Sequence, residues 1–162
     1  MLDKTDDLSV TVESWLAQFE DALAKPDDGL LKGLFHPDSY WRDVLALSWT
    51  LQTINGRDAI LKTLRSQATE AMPSGFAIDP DRAAPRQVTR AGTSSIEAIF
   101  KFETALGRGD GILRLIPDAD DGNRLKAWTL LTALQELKGF EEQLGVTRPR
   151  GSAYSRDFRG PN

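Results

Sequence analysis

Between Trp41 and Gln52 the chain alternates, with Leu45, Leu47, Trp49 and Leu51 separated by Ala46, Ser48, Thr50 and Gln52. A period of two is that of a half-buried strand. Read as one strand without a bulge from Trp41, the pattern puts Trp41 and Asp43 on the apolar side with Leu45, Leu47 and Trp49. A carboxylate aimed at an apolar interior requires a partner, water or a raised pKa, which makes Asp43 the first candidate for chemistry.

Upstream, Val12, Trp15, Leu16, Phe19, Ala22 and Leu23 recur at helical spacing, with Ser9 or Thr11 as the expected N-cap and Glu13 in the first turn. Leu30, Leu31, Leu34 and Phe35 predict a short second helix between Pro26 and Pro37. Downstream, Asn55-Gly56 predicts a turn, and Ile60, Leu61, Leu64 and Ala68 form one face of a third helix that Met72-Pro73-Ser74-Gly75 ends. Short strands are expected around Phe76 to Ile78 and Gln87 to Arg90, separated by a proline-containing loop.

From Thr93 the alternation returns: Ile96, Ala98, Phe100 and Phe102 predict a buried face, and Ser95, Glu97, Lys101 and Glu103 a wet one. The cluster Gly107-Arg108-Gly109-Asp110-Gly111 reads as a hairpin turn into Ile112 to Ile116. A second turn, Asp118 to Asn123, leads into Arg124 to Leu134. The result is an antiparallel meander. Its last strand carries apolar residues at both parities, which suits a strand covered on both sides, central or at an interface. The expected architecture is α+β: N-terminal helices packed on a curved, mixed or antiparallel sheet to make a cone over residues 1–138, with a tail or linker over 139–162.

This order of elements resembles the nuclear transport factor 2-like (NTF2-like) fold, also called SnoaL-like or ketosteroid isomerase-like. Within it, YWRDVLALSWTLQTINGRDAI at 40–60 is similar to the N-terminal domain that precedes the FAD and NADPH modules of flavin-containing monooxygenase-like proteins. The stretch from Ala127 to Asn162 resembles the join between that domain and the first dinucleotide-binding strand. The resemblance implies that FAD and NADPH belong to the fused modules and that this chain holds no cofactor. It also implies a homodimer and a pocket in which a carboxylate or histidine can act as general base.

Composition narrows the chemistry further. The formal charge of −4 over 162 residues gives no attraction to phosphate backbones or anionic membranes, so neither nucleic acid nor a membrane is an expected partner. The absence of cysteine removes disulfides, thiolate metal sites and cysteine nucleophiles, and fits a reducing compartment such as the cytoplasm. The N-terminus is acidic where a signal peptide is basic. With one histidine and no cysteine, no metal site is expected. The candidate site residues are therefore Asp43 as base, His36 in its His-Pro-Asp-Ser turn, Trp41, Trp49, Phe100, Phe102 and Trp128 as walls for a flat apolar ligand, and Tyr40 offering a hydroxyl at its edge. Each has a structural alternative: an Asp paired to hold the sheet, a solvated turn histidine, aromatics that are simply core. Three functions remain open, namely a small-molecule-binding or accessory domain, a cofactor-independent isomerase, dehydratase or hydrolase, and a dimerising module without a ligand.

Overall fold

The N-terminal apolar stripe winds into α1 (Lys4–Ala24), which begins a full turn before the expected caps. Ser9 and Thr11 lie inside the helix, and Thr11 Oγ1 donates back to the Asp7 carbonyl, the usual outlet for a mid-helix hydroxyl. A computed structural model describes residues 4–25 and 27–142 of the chain, so most of the expected tail lies outside the described residues. Asp27 caps α2 (Asp28–Leu34) by accepting from the Leu30 N–H, and Leu31 and Leu34 are its buried face.

The chain then runs through β1 (Phe35–Val44), β2 (Leu51–Asn55), α3 (Arg57–Ala71), β3 (Ser74–Ile78), β4 (Arg86–Arg90), β5 (Thr93–Glu103), β6 (Gly107–Asp118) and β7 (Arg124–Leu137). The sheet order is β2-β1-β7-β6-β5-β3, with β4 pairing the other half of the β5 edge. β1 lies parallel to β7, and the remaining pairs are antiparallel. As the two-sided apolar pattern predicts, β7 is an interior strand.

Three expectations are corrected here. The alternating run from Trp41 is not one strand: β1 ends at Val44, residues 45–50 form a loop, and Leu51 starts the return strand. Leu45 and Trp49 take left-handed backbone conformations at φ 61° and 57°, which reverse the chain without a glycine. The GRGDG cluster is not a turn but the first half of β6, and the turn lies before it at residues 104–106. Its glycines are set by space. A Cβ at Gly109 would come within 2.6 Å of both the Ala133 carbonyl oxygen and the Phe102 ring, and one at Gly111 would drive into the Leu131 carbonyl and the Phe100 ring. The large residues of β5 thus use the missing side chains of β6.

Nor is the outer face of β5 wholly wet. Lys101 and Glu103 are exposed, whereas Ser95 and Glu97 are buried. Arg114 Nε donates to Glu97 at 2.9 Å, and Arg86 and Arg90 reach it at 3.3 and 3.4 Å from the edge strand β4. Burial alone would raise the Glu97 pKa, but the hydrogen bonds from Arg114, Arg90 and Arg86 outweigh it and hold the carboxyl below its ordinary value of 4.5. A lowered carboxylate pKa contributes stability that is present above the unfolded value and lost as pH falls through the folded one. The stability gap between wild type and Glu97→Gln, read by urea unfolding, should therefore be widest near neutrality and close as the pH drops below 4.5. A gap independent of pH would remove the ion pairs as its cause.

The helices cover the opposite, inner face. α1 packs on β3, α3 on β1 and β2, and α2 on β7. Glu20 ties α1 to β3 by accepting from the Gly75 N–H. Between the layers a train of rings fills the interior: Trp15 and Phe19 stack at 4.9 Å, Phe19 meets Phe76 edge-on at 5.2 Å, and Phe76 stacks on Phe102 at 5.2 Å with Phe100 alongside.

Candidate functional site

β1 delivers Trp41 and Asp43 to the inner face opposite Leu130 and Thr132 of β7, both fully buried. The Trp41 indole donates to Thr132 Oγ1 at 2.9 Å, and the Thr132 hydroxyl donates to Asp43 Oδ1 at 2.6 Å. The other carboxylate oxygen accepts from the Ser48 N–H at 2.8 Å, the Ser48 hydroxyl at 2.6 Å and the Leu47 N–H at 3.1 Å. The partner demanded by a buried carboxylate is thus the loop over residues 45–50. Two left-handed non-glycine residues store strain of about 1–3 kcal/mol each, and bonds to a charged acceptor are of a size to offset it. Every contact named here holds structure, and Asp43 lines neither of the clefts described below.

The other candidates are not gathered around one space. Trp41, Phe100 and Phe102 are core, exposed by 2 % or less. Trp49 points out of the loop at 47 % exposure, and Tyr40 stands on the outer sheet face at 39 %. Trp128 is half-buried where β7 bulges against β6. The HPDS run is an irregularity inside β1 rather than a turn before it, since the register against β7 shifts between Phe35 and Tyr40. There His36 is half-buried, with Nδ1 accepting from the Asp38 N–H at 3.1 Å.

An open cleft of 670 Å³ lies elsewhere, between α1, α2 and the β6–β7 end of the sheet. Trp15, Leu30, Leu34, Leu115 and Leu125 supply its apolar surface, and Thr11, Ser14, Gln18 and Arg124 its polar rim. The Trp15 indole is anchored to the Leu34 carbonyl at 3.0 Å, which fixes that wall. α2 has only seven residues, and two of them, Gly29 and Gly33, are spaced i, i+4 and face the cleft. Each glycine sacrifices about 1 kcal/mol of helix propensity relative to alanine, so the room they leave is obtained against local preference. A Cβ at Gly33 would stand 4.0 Å from the Arg124 guanidinium. Arg124 is the one charged lining residue among those described; no carboxylate or imidazole lines the cleft. The arrangement can hold an amphipathic molecule by hydrogen bonds and apolar contact, and among the described residues it offers no general base.

No family model matches the sequence, and no curated protein matches it. Solved structures do match. An NTF2-like protein of unknown function from Silicibacter pomeroyi DSS-3 superposes at a TM-score of 0.57 with 13% identity, over 82% of this chain and all of that one. An NTF2-like superfamily protein from Salmonella enterica serovar Typhimurium LT2 gives 0.54 at 13% identity, over 90% of this chain and 99% of the other. A DUF4783 family protein from Bacteroides uniformis gives 0.51 at 10% identity, over 74% and 96%. The chain has the NTF2-like fold.

In this NTF2-like fold a train of rings packs between helices and sheet, and an open cleft lies on the α1–α2 side. Sequence reasoning missed that cleft because its polar rim, Thr11, Ser14 and Gln18, occupies the face of an amphipathic helix that reads as solvated. The available signal was the paired glycines of DGLLKGL. Beside the cleft, Lys126 is buried and pairs with Asp118 at 2.8 Å and Asp121 at 2.9 Å. The hydrogen bond from Lys126 holds Asp118 below the usual carboxylate range, and the bond to Asp118 raises Lys126 in turn. Asp121, also 3.8 Å from Arg124, connects this cluster to the cleft rim. No helix among the described residues is long and apolar enough to cross a membrane.

Proposed function

We propose that this NTF2-like domain binds a small amphipathic molecule in the cleft between α1 and α2 and serves as an accessory domain without redox chemistry of its own. The carrying observation is a cleft of 670 Å³ with apolar walls, a hydrogen-bonding rim and, among the described residues, no acid–base pair, beside aromatic rings packed between helices and sheet. A volume of that size lies within the range of about 300–1,000 Å³ usual for ligand sites. The similarity of residues 40–60 to the domain ahead of FAD and NADPH modules supports the accessory role and leaves electron transfer to such modules. The glycine-rich stretch does not fit a dinucleotide phosphate: it is strand, packed against Phe100 and Phe102, not a loop opening a helix.

The alternative, an isomerase-type enzyme with Asp43 as base, requires a carboxylate that exchanges its loop and Thr132 donors for a substrate proton. The cleft reading is tested by Gly33→Leu, which plugs the space while gaining up to about 1 kcal/mol of helix propensity. With the neutral apolar dye N-phenyl-1-naphthylamine as probe, the full chain should enhance its fluorescence on binding, and Gly33→Leu should bind it at least tenfold more weakly with an unchanged or higher unfolding midpoint. Equal dye binding by the two proteins would refute the site.

A further inference from the structure

A second, chemically different groove crosses the outer face of the sheet, away from the helices. Two adjacent cross-strand rows build it: Tyr40–Thr129–Arg114, and Thr53–Arg42–Leu131–Ile112, as the registers of β1, β2, β6 and β7 align them. The space is 310 Å³. Leu131 and Ile112 are its apolar surface, and Arg42 and Arg114 flank it from strands on either side of β7.

Among the described residues the groove's own lining is basic, with Arg42 and Arg114 as its charged members. Arg42 donates to Thr53 Oγ1 at 3.1 Å and, among the described residues, makes no ion pair. Arg114 shares the single carboxylate of Glu97 with Arg86 and Arg90, so three guanidiniums meet one negative charge. Among the described residues the groove's lining holds two arginines and no carboxylate, on a chain whose formal charge is −4; Asp110, two residues from Ile112 along β6, is engaged by Gln135 and Arg82. Each guanidinium has five N–H donors in a planar fork, and the contacts named here leave most of those of Arg42 unused. A planar carboxylate is the matching acceptor, and the aliphatic surface beside it accepts a flat apolar body.

We infer that the outer-sheet groove is a binding site for an organic carboxylate with a flat apolar body, its carboxylate held by Arg42 and Arg114 and its body lying on Ile112 and Leu131. The site is independent of the α1–α2 cleft.

The experiment titrates the full chain with 2-naphthoate, with its neutral isostere 2-naphthamide and with inorganic phosphate, by calorimetry and by the methyl shifts of Ile112 and Leu131. Expected are saturable binding of naphthoate that moves both methyl sets and weakens with added salt, and at least tenfold weaker binding of naphthamide and of phosphate. Arg42→Gln, which keeps a donor for Thr53, should weaken naphthoate at least tenfold and leave naphthamide unchanged. Gly33→Leu should leave naphthoate binding as it is. Naphthamide or phosphate binding as tightly as naphthoate overturns the proposal, as do naphthoate contacts that spare the Ile112 and Leu131 methyls. So does sedimentation showing that a second copy covers this face and that Arg42→Gln alters self-association instead.

Discussion

Gly111→Ala is expected to abolish cooperative folding, and Gly109→Ala to do nearly the same. The added methyl at 111 meets the Leu131 carbonyl oxygen of the neighbouring strand, which is backbone and has nowhere to move without breaking the β6–β7 ladder, and the Phe100 ring, which is fully buried. Overpacking of a tight core typically destabilises by about 1–3 kcal/mol where side chains can adjust, and a clash with backbone at a central strand pair belongs above that range. Gly29→Ala is the control: its Cβ meets only the Asp27 carboxylate at 3.5 Å, and the change should be neutral or stabilising by up to about 1 kcal/mol. Urea unfolding followed by near-ultraviolet circular dichroism reads both. A cooperative Gly111→Ala protein with the wild-type midpoint would show that β6 does not lie as described.

Asp43→Asn should lower stability by about 2–4 kcal/mol, since hydrogen bonds to a buried charged acceptor contribute roughly 1.5–3 kcal/mol each and the amide can replace only some of them. Its oxygen can still accept from Ser48 and Leu47, but its NH₂ then points at Thr132 Oγ1, which already accepts from the Trp41 indole, and the threonine proton loses its acceptor. The loss should be concentrated in the loop. Amide exchange at Leu47 and Ser48 should speed up far more than exchange in β5 or β6, as left-handed Leu45 and Trp49 relax. Unchanged stability with protected Leu47 and Ser48 amides would mean that the carboxylate does not hold the loop, and would restore Asp43 as a free group for acid–base chemistry. The two predictions are separable, because the glycine acts through sterics between β6 and its neighbours and the aspartate through one loop.

The site was less legible than the fold, for a physical reason that particular residues expose. Trp41, Phe100 and Phe102 were read correctly as inward, but inward position does not distinguish a wall from filling; only the ring train through Phe19, Phe76 and Phe102 shows that the interior is occupied. The α1–α2 cleft depends on side chains that are absent, at Gly29 and Gly33, and absence leaves no periodic mark beyond a weakened helix. The outer groove depends on register. Arg42 and Arg114 are 72 residues apart in the chain, and only the pairing of β1 and β6 with β7 sets them on one surface.

Local pattern determined the element inventory: three helices by their apolar stripes, the β5–β6–β7 meander by its alternation, the α3 start by Asn55-Gly56, and the inward parity of Trp41 and Asp43. These follow from backbone periods of 3.6 and 2, which act over neighbouring residues and are written in any window of the chain. What tertiary structure alone decided lay where a distant group overrode the local preference. DVLALSWTLQ reads as uninterrupted strand, yet it breaks at Val44 because the Asp43 carboxylate, braced by Thr132 from β7, gathers the donors of Leu47 and Ser48 and stabilises a bend that Leu45 and Trp49 would not adopt unaided. GRGDG reads as a turn by its glycines, yet it is strand because Phe100 and Phe102 from β5 need the space that those glycines leave.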